Sequence, residues 1–189
     1  MKSTYGRHCS SIPDALTLFE LGGRISTVGH ALGCQVFSQF PPTYRAGRKG
    51  ETIDYVWAVR RTDHSDRRRW HVLAAFECEG LDVPDDSLGN DVSKLIEVGG
   101  GLVIPTAVVL YRTCEDGSLF WRPARDWEAK QRYWLDFAKS RLAELCARRG
   151  VAPIPAVLDN ELGDALSHTM QVIVDRVRSR IDVLADAGT

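Results

Sequence analysis

No stretch of this sequence stays apolar long enough to cross a bilayer, which takes about 20 residues. Its first residues, MKSTYGRHCSSIPD, also lack the apolar centre of a secretory signal. Cysteine is sparse: Cys9, Cys34, Cys78, Cys114 and Cys146 are odd in number, widely spaced and without a CxxC pair. That usage fits reduced thiols in a cytoplasmic protein rather than a disulfide framework or a zinc site. There is no internal repeat, no low-complexity tract and no linker. The glycines at 99–101 precede no GK[ST], so a phosphate loop is excluded, and no two histidines have HExxH spacing. A strong net charge is missing too, because the formal balance is −1.

What is present is a globular composition, 189 residues with 44% hydrophobic content. That length suits one domain, here residues 1–189, with a core over about 11–113 and a helical extension over about 122–186. Basic residues are unevenly spread despite the neutral total. Residues 44–69 hold eight Arg or Lys against four acids, and residues 122–149 repeat that ratio. Local basic patches serve a phosphate backbone even at zero net charge, while solvated loop and helix charges are the alternative.

The first helix is expected over SIPDALTLFELGGRISTVGHALG, capped by Ser10 or Ser11, with Gly22-Gly23 bending or splitting it. CQVFSQF reads as a short strand closed by Pro41-Pro42. TIDYVWAVRR and WHVLAAFECEG read as an antiparallel hairpin whose second strand, apolar on both faces, is central. SLGNDVSKLIEVGGG follows as a helix capped by Ser87 or Asn90. LVIPTAVVLYRT then returns parallel to the preceding strand. Helices over 126–149 and 159–186 complete the chain, the first with a core stripe of Trp127, Trp134, Phe137 and Leu145. The order α-β-β-β-α-β-α-α predicts an α/β sandwich on a mixed central sheet, plus two C-terminal helices.

The chemistry concentrates in AAFECEG at 74–80. Side chains two apart on a strand face the same way, roughly 6–7 Å apart. Glu77 and Glu79 therefore project together, with His71, Leu73 and Ala75 before them. Buried carboxylates need a partner, and an oxygen-seeking divalent cation, Mg²⁺ or Mn²⁺, is one. Simple hydration beyond the sheet edge is the other reading. A hairpin turning near 62–68 brings Asp54 to the same end of the sheet, which would make three carboxylates converge. Two glutamates side by side on one strand do not span a sugar cleft, so a glycosidase pair is excluded.

An acid in ETIDYVWAV, a strand ending HVLAAFECEG, then the helix and strand of SLGNDVSKLIEVGGGLVIPTAVVLY: this succession resembles the PD-(D/E)XK nucleases, the restriction-endonuclease-like superfamily. The resemblance spans roughly residues 14–112. It implies an αβββαβ core and a metal-dependent endonuclease hydrolysing DNA phosphodiester bonds, with Mg²⁺ or Mn²⁺ held by Asp54 and Glu77, to which the three-carboxylate reading adds Glu79. The sequence departs from the family where Ile53 replaces proline and Glu79 replaces the motif lysine. Some members supply a substitute lysine from the next helix, where Lys94 lies, and many carry an acid on the first helix, where Glu20 lies. Solvated helix positions are the alternative for both. Arg45, Arg48, Lys49, Arg60, Arg61 and Asn90 are the expected contacts to nucleic acid, and cutting both strands of a duplex favours a homodimer. A nuclease-like domain without catalysis, acting as a binding or interaction module, is the competing expectation.

Overall fold

The computed structural model describes residues 12–41, 52–60, 70–80, 85–99, 106–111, 127–158 and 168–186. In chain order these form α1 (Ile12–Ala31), β1 (Gln35–Phe40), β2 (Ile53–Arg60), β3 (Trp70–Gly80), α2 (Asp85–Gly99), β4 (Thr106–Tyr111), α3 (Trp127–Arg148), β5 (Ala156–Leu158) and α4 (His168–Asp186). The strands make one sheet in the order β1-β2-β3-β4-β5. The β1–β2 and β2–β3 pairs are antiparallel, and the β3–β4 and β4–β5 pairs are parallel. This is an α/β fold on a mixed sheet, with the expected hairpin and the expected crossover through α2. β3 is central because it offers apolar side chains to both faces; Ala74, Ala75 and Phe76 are all fully buried.

Helices cover both faces. On one, Leu21 and Ile25 of α1 and Ile173 and Val177 of α4 pack against Tyr55, Trp57 and Phe76. On the other, Leu88, Val92 and Leu95 of α2 and Leu135, Ala138 and Leu142 of α3 close over Ile53, Val56 and Ala75. Burying each such leucine or isoleucine is worth about 1.5–3 kcal/mol. The two C-terminal helices thus pack on the sheet, one on each face. β5, from VAPIPAVL, has no counterpart in the sequence reading and adds a second parallel edge beyond β4.

Several local expectations are corrected. α1 runs unbroken through Gly22-Gly23. Gly22 lies against the Tyr55 ring and Gly29 against Trp57, each ring filling the space a Cβ would need. These glycines let the helix backbone approach the sheet, close enough for Trp57 Nε1 to donate to the Ile25 carbonyl at 3.1 Å. The helix stops at Gly33, whose φ of 79° permits the Schellman bonds from Cys34 N to Gly29 O and from Gly33 N to His30 O. α2 starts at Asp85, so Ser87 and Asn90 lie inside the helix and neither caps it. On α3 the fully buried stripe is Ala138, Leu142 and Cys146, with Trp134, Phe137 and Leu145 partly buried beside it.

β3 also breaks simple alternation. Tyr55↔Phe76, Val56↔Ala75 and Trp57↔Ala74 follow one register, and Ala58↔Val72, Val59↔His71 and Arg60↔Trp70 another. Leu73 is the extra residue of a β-bulge between them. Before the bulge Trp70 and Val72 face α2 and α3; after it Ala75 takes that side, while Leu73 joins the α1 face. The face shared by Glu77 and Glu79 thus includes Ala75 but not Leu73.

Candidate active site

The bulge resets the parity of β3 just before its two glutamates. One step beyond Tyr55↔Phe76, the same register sets Asp54 opposite Glu77. Directly opposed residues of an antiparallel pair point to the same face. That face is the one α2 covers, and α2 adds Asp91 and Lys94, which share a helix face at i, i+3 spacing. Asp54 is 8% exposed, Glu77 1% and Asp91 2%. Four carboxyl groups, counting the half-buried Glu79, are thus gathered around one ammonium at the end of the hairpin where β2 begins.

The ammonium is tightly engaged. Lys94 Nζ lies 2.6 Å from Glu77 Oε1 and 2.9 Å from Asp91 Oδ1, and donates to the Thr52 carbonyl at 3.3 Å. Beyond this ion pair, buried Glu77 Oε1 makes no other hydrogen bond among the described residues. Asp54 is held from two sides: Gln39 Nε2 donates to Oδ1 at 3.0 Å and the Cys78 backbone N–H to Oδ2 at 2.9 Å.

Protonation follows from burial and crowding. Burial pushes the Glu77 carboxyl well above the usual range, and the charges of Asp54 and Asp91 push it further, against the pull of Lys94. Burial likewise raises Glu79, to about 9, helped by a carboxyl–carboxyl hydrogen bond with Asp91 that holds only while a proton is shared. For Lys94 burial acts downward, but Glu77 and Asp91 outweigh it and the ammonium titrates above its ordinary value. Among the described residues the cluster therefore carries more acid than its one lysine balances, which favours protonated carboxyls at Glu77 and Glu79.

The remaining expected residues fare differently. Arg60 is exposed at the far end of β2, six residues and about 20 Å from Asp54, so the fold does not bring it to the cluster. Asn90 is exposed on α2, next to Asp91. Glu20 lies on α1, which packs on the opposite face of the sheet from α2; its side chain is outside the described part. Arg45, Arg48, Lys49 and Arg61 lie outside the described residues. Cys34, Cys78 and Cys146 are free and buried; burial raises the Cys34 thiol to about 11 and the Cys78 thiol well above its usual range, so neither of these two is an activated nucleophile.

Two participants escape a reading of the sequence. Asp91 reads in the sequence as one more polar residue of the α2 segment; its i, i+3 spacing from Lys94 is the signal that it belongs to the cluster. Gln39 carries no signal at all in QVFSQF. Among the described residues no group of three or more His, Cys, Asp or Glu is arranged to hold a metal ion, and no helix is long and apolar enough to cross a membrane. No family model, no curated protein and no solved structure matches the chain.

Proposed function

We propose that the chain is a metal-dependent endonuclease of the restriction-endonuclease-like kind, hydrolysing DNA phosphodiester bonds at the Asp54–Glu77 cluster. One observation carries the reading: buried carboxylates from two adjacent strands meet a lysine from the crossover helix, with acid in excess. The order of α1 through β4 on a mixed sheet supports it. Buried carboxylates that outnumber the cations among the described residues suit a hard divalent cation. Asp54 and Glu77 would hold Mg²⁺ or Mn²⁺, with Glu79 beside them. When bound, the cation would lower the pKa of the attacking water and stabilise charge on the phosphoryl oxygens.

The chain's own groups supply the rest. The backbone N–H of Cys78 and the Gln39 amide fix the Asp54 carboxylate. The three donors of Lys94 go to Glu77, Asp91 and the Thr52 carbonyl; a cation taking over one carboxylate would free one of them to orient a water or a phosphate oxygen, in place of the motif lysine that Glu79 replaces. Glu79 keeps a proton at its carboxyl against Asp91. Arg45, Arg48, Lys49, Arg61 and Asn90 would track phosphates, in a cytoplasmic protein that acts as a dimer on duplex DNA.

The 2.6 Å contact between Lys94 and Glu77 favours one competitor, a nuclease-like domain whose ion pair has replaced the cation and which binds without cutting. Gel shift and cleavage, run together on plasmid and single-stranded DNA with Mg²⁺ or Mn²⁺, separate the two. Cleavage that Glu77→Ala abolishes supports the nuclease. Retarded but intact DNA, with no cation bound, defeats it.

A further inference from the structure

Gln39 has a φ of 54°, and among the described residues it is the one non-glycine in that region. Left-handed backbone costs any residue with a Cβ, and where it occurs Asn, Asp and His are the enriched types, not Gln. Glycine would adopt the same φ without that cost. The glutamine side chain must therefore be worth keeping, and both ends of its amide are in use. Nε2 donates to Asp54 Oδ1 at 3.0 Å, and Oε1 accepts from Thr52 Oγ1 at 2.6 Å. The orientation is forced, since a carboxylate oxygen only accepts.

The sheet explains how this residue reaches the cluster. β1 pairs with β2 through Ser38↔Tyr55 and Phe40↔Ile53, which sets Gln39 opposite Asp54. Thr52, on the other side of the amide, also gives its carbonyl to Lys94 Nζ. A continuous path of hydrogen bonds thus runs from Asp54 through Gln39 and Thr52 to Lys94. It ties the edge strand to the two charged groups that the hairpin and α2 deliver separately.

We propose that Gln39 is a positioning residue: its strained backbone and bridging amide lock the Asp54 carboxylate, and through Thr52 the Lys94 ammonium, in the arrangement that receives a divalent cation. This rests on the metal-site reading above. Groups that hydrogen-bond a ligating carboxylate commonly set metal affinity by about 10–100-fold.

The test uses the full chain with Gln39→Gly and Gln39→Met, with three readouts: Mn²⁺ affinity by calorimetric titration, the metal-free unfolding midpoint, and hydrogen exchange of the Cys78 amide. Gln39→Gly is expected to hold or raise the metal-free midpoint, because it relieves the φ, while Mn²⁺ affinity falls about 10–100-fold. Gln39→Met, which keeps the bulk and loses the amide, is expected to lose affinity to the same extent. A folded variant of either kind binding Mn²⁺ within about twofold of the wild type overturns the proposal. If wild-type protein binds no Mn²⁺, the metal reading fails separately, and the exchange measurement decides the role of Gln39. Roughly tenfold faster exchange at Cys78 in Gln39→Met supports positioning of Asp54, and unchanged exchange overturns it.

Discussion

Glu77 is the residue on which the account turns, because it is 1% exposed and its carboxyl is costly to ionise without a cation. Glu77→Gln keeps the shape and removes that cost. In metal-free protein near pH 8 we expect the unfolding midpoint to rise, by about 2–4 °C for each kcal/mol recovered, while cleavage is lost. A residue kept only for stability would show the reverse, a lower midpoint. Lys94→Met removes the ammonium that, among the described residues, alone faces Glu77 and Asp91. It should cost up to about 3 kcal/mol near pH 8 and less at lower pH, as Glu77 takes up a proton and needs the ammonium less, as denaturant titration would show. The carboxylates themselves were legible in FECEG, since acids in an otherwise apolar strand demand a partner. The share of Gln39 was not, because no propensity marks a glutamine for positive φ.

At the scale of elements, two contrasts test how the helices meet the sheet. Gly22→Ala on α1 drives a methyl group into the Tyr55 ring and should destabilise by about 1–3 kcal/mol. Gly23→Ala, one position on, meets nothing within 4 Å and should stabilise by about 0.5–1 kcal/mol through helix propensity alone. Chemical denaturation of the two variants side by side measures both signs. The sequence marked Gly22-Gly23 as a break because isolated helices bend at such pairs; packing against an aromatic strand reverses that meaning. The order from α1 to β4 was readable from periodicity and turn residues. The bulge at Leu73 and the three-residue strand β5 were not, since a register shift and a short parallel edge are set by partners far along the chain.

For the whole molecule, the surplus of acid makes stability depend on pH and on cations together. Glu79 titrates near 4.5 in an unfolded chain and at about 9 here, so between those values the folded state binds more protons than the unfolded one. Glu77 is displaced in the same direction. Metal-free protein should therefore lose stability as pH rises through that window, and Mg²⁺ or Mn²⁺ should restore it increasingly toward high pH while releasing protons on binding. Thermal unfolding across the window, with and without Mn²⁺, checks both halves; a midpoint rising with pH in metal-free protein would contradict the assigned direction. A fold with helices on both faces of a mixed sheet follows from composition and pattern, whereas its proton balance emerges only once α2 lays Asp91 and Lys94 over the hairpin.

The most direct measurement is Mg²⁺-dependent conversion of supercoiled plasmid by wild-type protein and by Glu77→Gln, both shown to be folded. The account predicts nicked and linear products with wild type and Mg²⁺, none with chelator, and none with Glu77→Gln at any Mg²⁺ concentration. Equal cleavage by the two proteins, or none by wild type with either Mg²⁺ or Mn²⁺, would contradict it.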